Sequence, residues 1–263
     1  MTTFQVSQAD EYLRTISNLR LKEPSHQIPR SYTDGIFGEA VVGQNGAAVI
    51  VGDVVELSGC FDRDVFEHVS KIDEAHLFEP PECWVDGISK MDPACFRAYQ
   101  REAFHPLQPG QIGTAANFEP VNLTIEGTPV EIAPITDSDK KALLEESWSA
   151  DLVANTIAVD GKFPSAFGFI ARCDNQVIGG VGCFAVYVSG IEVEIDTRSG
   201  YRRRGVATEL AKRMLVECRN RSLECHWDAM NAESAALARK VGFVWDRSYW
   251  VSRAIIFPTP KAT

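Results

Sequence analysis

Residues 190–197 read Gly-Ile-Glu-Val-Glu-Ile-Asp-Thr. Apolar and acidic side chains alternate there without exception, the mark of a strand with two chemically different faces. The chain then turns through 198–204 and enters a segment in which Ala207, Leu210, Ala211, Met214, Leu215 and Cys218 recur on one helical face. Between strand and helix stands Tyr201-Arg202-Arg203-Arg204-Gly205-Val206-Ala207. A two-faced strand, a basic glycine turn and an amphipathic helix, in that order, leave few architectures open.

The flanking segments narrow them further. Residues 130–135 alternate like a strand, and Thr136-Asp137-Ser138 starts a helix that the pattern carries to about Trp148. Residues 167–173 and 177–188 flank Asp174-Asn175, a hairpin turn, and Ser189-Gly190 turns the chain again. A short strand is expected near Cys225-His226-Trp227, then a helix from Asn231 to Val241 stopped by Gly242, then a last strand. From residue 128 the predicted order is strand, helix, three-strand meander, helix, strand, helix, strand.

The front half reads differently. Ser7-Gln8-Ala9-Asp10 resembles a capping box before Tyr12, Leu13, Ile16 and Leu19 at helical spacing. Turns at Gln44-Asn45-Gly46 and Gly52-Asp53 divide 38–57 into an antiparallel meander. Asp62 caps a helix burying Val65, Phe66, Val69 and Ile72, and Glu79-Pro80-Pro81 precedes another with Trp84 and Ile88. Residues 96–104 fit helix and strand equally. Residues 105–127 are loose and rich in Pro and Gly, which places a boundary there. The expected organisation is an N-terminal α/β domain over 1–120 and a second domain over 128–263.

Composition sets outer limits. The 263 residues are 45% apolar and 24% charged, with 19 Gly and 13 Pro, which excludes a disordered or collagen-like chain. The net charge of -10 is uneven. Residues 1–127 hold 19 acids and 9 bases, whereas 128–263 hold 17 of each. An acidic front half argues against nucleic acid as a partner and suits a cationic one or plain solubility. Seven scattered cysteines without a CxxC pair read as reduced thiols in a cytoplasm. Five separated histidines, with no HExxH, predict no metal. No apolar run reaches the ~18 residues of a membrane span, and the first twenty residues carry no secretory pattern.

Physically, 201–207 is an anion cradle. Amides at the start of a helix lack backbone acceptors, and the helix dipole adds positive potential. Gly205 admits close approach, Ala207 keeps the first turn small, and three arginines add charge. A diphosphate is the natural guest; a solvated basic turn is the plainer alternative.

Arg202-x-x-Gly205-x-Ala207 resembles the acetyl-CoA pyrophosphate motif of the GNAT acyltransferase superfamily, and the predicted element order is similar to that fold. Residues 190–197, Trp227-Asp228-Ala229-Met230-Asn231 and Ser234…Leu237-Ala238-Arg239-Lys240-Val241-Gly242-Phe243 resemble its zwittermicin-resistance-type subfamily. Glu79-Pro80-Pro81-Glu82-Cys83-Trp84 and Arg97-Ala98-Tyr99 also resemble that subfamily's N-terminal region. The resemblance implies a mixed, mostly antiparallel sheet flanked by helices in the back half. The front half could then be a degenerate relative of it.

The resemblance further implies direct acyl transfer from acetyl-CoA to an amine in one ternary complex, without a metal. It sets acetyl-CoA against Ile195, Asp196, Thr197, Arg202, Arg203, Arg204, Gly205, Val206, Ala207, Thr208, Asn231 and Ser234. An ammonium acceptor must lose a proton before attack, the tetrahedral oxyanion needs fixed donors, and the thiolate leaving group benefits from a proton. Glu194 is the first choice of base and Glu192 the second, with a bulge in the strand able to exchange them. These acids, with Asp196, equally suit solvent exposure, pairing with arginines, or binding of a cation. Many superfamily members carry a tyrosine where this chain has Ala238; Tyr249, Tyr201, Ser234 or water are the substitutes. Asn231 fits both a contact to the CoA arm and an N-cap. Trp227 and His226 are read first as structural.

Three functions follow. The first is an N-acetyltransferase acting on a small, polycationic or antibiotic-like amine. The second is a catalytically silent CoA-binding sensor or interaction module, and the third acetylates a protein or peptide terminus. A homodimer is compatible with each.

Overall fold

The computed structural model describes residues 23, 27–72, 74–91, 96–112, 122–155 and 167–254. The helix expected behind Ser7 lies outside them. The chain divides into two units, Met1–Arg101 with Ser248–Thr263, and Glu102–Arg247.

In the first unit a single turn, α1 (Arg30–Thr33), precedes β1 (Glu39–Val42), β2 (Gly46–Val51) and β3 (Val54–Gly59). These strands pair in sequence as the expected antiparallel meander. Asp62 caps α2 (Arg63–Val69), its carboxylate accepting the N–H groups of Asp64 and Val65. The chain returns as β4 (His76–Phe78), parallel to β3, and enters α3 (Glu82–Met91) after the two prolines. Trp84 and Ile88 of α3 close a core with Leu57, Val65 and Leu77. The Trp84 Nε1–H donates to Ser58 O at 3.1 Å, satisfying the indole's polar edge inside that core.

The ambiguous stretch is a strand, β5 (Phe96–His105). Its reason is non-local: Tyr99 OH lies 2.7 Å from His76 Nδ1 on β4, and Arg101 stacks on the Phe78 ring. Neither contact is visible to local periodicity.

The second unit opens with a small hairpin, β6 (Thr124–Ile125) and β7 (Thr128–Pro129), followed by β8 (Glu131–Pro134). A reciprocal capping box between Thr136 and Asp139 starts α4 (Asp137–Leu144). The helix ends at Leu144 rather than near Trp148. Ser149 Oγ donates to Leu143 O at 2.8 Å, and the chain tightens into a 3₁₀ turn at Ala150–Leu152. Asp174 and Asn175 take φ of 49° and 63°, the left-handed pair a two-residue hairpin needs. They join β9 (Phe169–Cys173) to β10 (Gln176–Tyr187), which turns into β11 (Gly190–Thr197).

Past the basic turn, α5 (Val206–Asn220) packs its buried face, Leu210, Ala211, Met214 and Leu215, on the sheet. The next strand forms as two pieces, β12 (Glu224–His226) and β13 (Asp228–Ala229), with Trp227 between them. The helix α6 (Ala232–Lys240) stops before Gly242, whose φ of 107° suits only glycine, and β14 (Val244–Ala254) ends the described chain. One five-stranded sheet has the order β12-β11-β10-β9-β8, antiparallel except for β11 against β12. The fold is mixed α/β, with mostly antiparallel strands flanked by helices.

Candidate active site

The alternating strand β11 lies between β10 and β12, but its two edges are used unequally. It pairs with β10 along its whole length, from Tyr187↔Gly190 to Gly179↔Thr197. It pairs with β12 only across Gly190, Ile191 and Glu192. Beyond Trp227 the neighbouring chain leaves as β13, which pairs with Glu102 and Ala103 instead. Among the described residues, no strand covers the β12 side of 193–197.

Hydrogen-bond direction tells which amides face that open edge. Arg198 N–H donates to Ile178 O on the β10 side, whereas Ser189 O accepts from Glu224 N–H on the β12 side. Strand alternation therefore aims the Val193 and Ile195 amides at the open edge and the Asp196 amide at β10. The Thr197 amide is held by its neighbour's carboxylate, Asp196 Oδ1, at 2.6 Å. Of Ile195, Asp196 and Thr197, which the resemblance sets against acetyl-CoA, Ile195 has the amide direction an extended guest requires.

The basic turn follows at the end of the same edge. Ser199–Tyr201 makes a 3₁₀ turn, Arg203 adopts φ of 62°, and Gly205 adopts φ of 90° as the N-cap of α5. A Cβ at Gly205 would meet only Leu123 Cδ1, at 3.5 Å, so backbone conformation rather than crowding demands glycine there. Glu209 N–H is the first α5 amide to bond back, to Gly205 O. The amides of 203–208 meet no acceptor among the described residues. Three exposed arginines frame them. Arg202 reaches back to Thr197 O at 2.9 Å and Asp196 Oδ1 at 3.2 Å; Arg204 pairs with Glu126 at 2.6 Å. Lys240 Nζ, at the end of α6, donates to Thr208 Oγ1 at 3.2 Å. Local pattern gives no sign of this further cation, because its approach to Thr208 is tertiary, although it stands in the segment Leu237-Ala238-Arg239-Lys240.

The three acids share the sheet face opposite α5. Glu194 stands across from Gly182 and Asp196 across from Gly180. A bulge exists, but in β10 between Cys183 and Ala185, so Ala185 faces Glu192 and β11 itself runs regularly. The acids therefore keep one direction. Glu192 is 4% exposed and lies beside His226 of β12, whereas Glu194 is half-buried and Asp196 half-buried at the open end. His226 is buried, with Nε2 3.1 Å from Glu224 Oε2 and its ring edge-on to Tyr187. Trp227 donates Nε1–H to Ser234 Oγ at 3.1 Å and packs on Phe243. Asn231 Oδ1 caps α6 through Ser234 N–H at 2.9 Å, leaving its side-chain NH₂ as a donor.

Comparison with known families decides what this arrangement belongs to. A family model described as GNAT acetyltransferase matches residues 20–251. The chain belongs to the GNAT acetyltransferase family. No curated protein matches it. Among solved structures it is similar to a GCN5-related N-acetyltransferase-like protein from Streptococcus suis, with TM-score 0.78 and 26% identity over 93% of this chain and 98% of that one. A GCN5-related N-acetyltransferase from Kribbella flavida has TM-score 0.53 and 12% identity over 89% and 95%, a likeness of fold alone. Membership makes the chain a transferase of the acyl-transfer type.

Within this GNAT member, the last-helix position expected to hold a tyrosine is Ala238, fully buried in α6. Of the hydroxyls named as substitutes, Tyr201 donates to Gln176 Oε1 at 3.1 Å and Ser234 accepts from Trp227. Tyr249 belongs to the first unit, is 2% exposed and packs against Phe78. Among the described residues, no group of three or more His, Cys, Asp or Glu is placed to hold a metal. None of the described helices is long and apolar enough to cross a membrane.

Proposed function

We propose that the protein is an N-acetyltransferase that moves the acetyl group of acetyl-CoA to a primary amine of a small acceptor, in one ternary complex. The observation that carries this reading is the run of uncommitted amides at 203–208, continuous with the open edge of β11. A diphosphate at the α5 terminus receives those amides together with Arg203 and Lys240. An extended amide-bearing arm then runs along the Val193 and Ile195 edge as an added strand would. The arm's thioester comes to lie near Glu192–Glu194, where β12 departs.

There the acceptor amine needs a base. Glu194 is the better candidate than Glu192, because its half-buried carboxylate keeps access to a substrate or a relaying water. The Ile195 amide, or its neighbour Val193, donates to the oxyanion as the acceptor nitrogen bonds to the carbonyl carbon. The carbon–sulfur bond then breaks, and the thiolate takes its proton from water, since Ala238 offers none. The acidic front half suits a polycationic acceptor, as does the likeness to the zwittermicin-resistance-type subfamily. We assign transfer to residues 128–263.

Ala238 also favours a second reading, a CoA-binding module without turnover. Thiol release from acetyl-CoA over a panel of polyamines, amino sugars and peptides separates the two. Acceptor-dependent release supports the enzyme. Calorimetric CoA binding without release by any acceptor supports the module, and no CoA binding overturns both.

A further inference from the structure

The first unit brings two cysteines together that the family chemistry does not use. Cys60 follows the end of β3 and is exposed; Cys83 stands in the first turn of α3. The Cys83 thiol sits against the carbonyl of Gly59, the residue before Cys60, and its bond to the Cys60 thiol pushes that thiol above its ordinary range. Both are held there by contacts that do not depend on sulfur bonding to sulfur. Cys60 N–H donates to Asn45 O at 2.9 Å, Cys83 Sγ donates to Gly59 O at 3.3 Å, and Trp84 pins α3 to Ser58. A cavity of about 480 Å³, lined by Phe61, Arg63, Cys83, Asp86 and Lys90, opens beside the pair. Cys83 lines that cavity and Cys60 is itself exposed, so small polar reagents reach both residues.

The remaining described cysteines are placed otherwise. Cys173, Cys183, Cys218 and Cys225 are buried. Burial pushes the Cys183 thiol up to about 12, and the Cys218 thiol, with burial, pushes Cys225 well above the ordinary range. Reaction with an oxidant requires a path to the sulfur, and burial denies one to all four.

We propose that Cys60 and Cys83 are a modification site, closing to a reversible disulfide when the protein meets hydrogen peroxide. The Cys60 thiolate attacks one peroxide oxygen; the O–O bond breaks, and hydroxide leaves and takes a proton to become water. The Cys83 thiolate then attacks the sulfur of the resulting sulfenic acid, forming S–S as S–O breaks and a second water leaves. Two thiols are oxidised by two electrons and one peroxide is reduced to two waters. The bond ties the end of β3 to the start of α3 across one wall of the cavity. This inference stands independently of the acetyl-transfer reading.

The test uses the full chain with millimolar hydrogen peroxide, intact mass, and a non-reducing peptide map. The expected product has lost two hydrogens, links the Cys60 peptide to the Cys83 peptide, and is restored by dithiothreitol. Cys83→Ser should instead gain oxygen on Cys60, and Cys60→Ser should form no such link. A wild-type protein that gains oxygen on Cys60, or joins Cys60 to Cys95 or to a second chain, overturns the proposal. A folded state common to all three proteins, checked by circular dichroism, keeps the comparison valid.

Discussion

Lys240 Nζ lies 3.2 Å from Thr208 Oγ1, joining the last turn of α6 to the first turn of α5. The contact sets a positive charge beside amides that already favour an anion. Lys240→Ala should weaken CoA binding by about tenfold, close to 1.4 kcal/mol, with little change in melting temperature. Lys240→Arg should recover most of it. Calorimetry with CoA and with dephospho-CoA reads whether the loss belongs to the diphosphate; equal losses for both ligands place it there.

Gly205→Asp combines two faults. The φ of 90° strains any Cβ-bearing residue, and a carboxylate would face the negative guest. CoA affinity should fall by at least about a hundredfold. Gly205→Ala separates the causes, since it carries the strain without the charge. A Gly205→Asp protein that binds CoA normally would remove the anion-cradle assignment.

If Glu194 takes the proton, Glu194→Gln should lower kcat by roughly a hundredfold or more and leave CoA affinity unchanged. The acidic limb of the pH–rate profile should flatten in the same variant. Glu192→Gln should act mainly on stability, because that side chain is buried on the sheet face. An unaltered pH profile in Glu194→Gln would return the role to Glu192 or water.

Asp62 gives a pH-dependent prediction for the first unit. Burial raises its carboxyl, but N–H donors from Asn45, Val65, Asp64 and Gln44 outweigh that and hold it below the usual carboxylate range. A lowered native value means the group stabilises the fold above its unfolded pKa of about 4, and that contribution fades as pH falls through the native value. Asp62→Ala should cost about 1 kcal/mol near neutrality. The gap between variant and wild-type melting temperatures should narrow in acid.

The sequence was most legible where structure is local. The alternation of 190–197, the turn at Asp174-Asn175 and the capping residues Asp62, Thr136 and Asn231 carry their own geometry. What it hid depends on distant partners. The departure of β13 from β11 is decided by pairing with Glu102 and Ala103, more than a hundred positions upstream. The burial of Tyr249 against Phe78 and the reach of Lys240 to Thr208 are likewise tertiary. Past the early stop of α4, Ser149 Oγ bonds back to Leu143 O, a side-chain contact that propensity does not weigh.

Gly182 makes a last point about the acidic face. A Cβ there would sit 2.1 Å from Leu152 O, so the 3₁₀ turn rests directly on the sheet across from Glu194. Gly182→Ala should lower stability by roughly 1–3 kcal/mol, read as a drop in melting temperature. At Gly180 the Leu152 side chain fills the space in the same way. These two missing side chains thus fix how high the neighbouring turn rides above the carboxylates. Any side chain larger than hydrogen at 180 or 182 would press the turn away from the sheet, so the height of that turn is set by two glycines and not by the acids themselves.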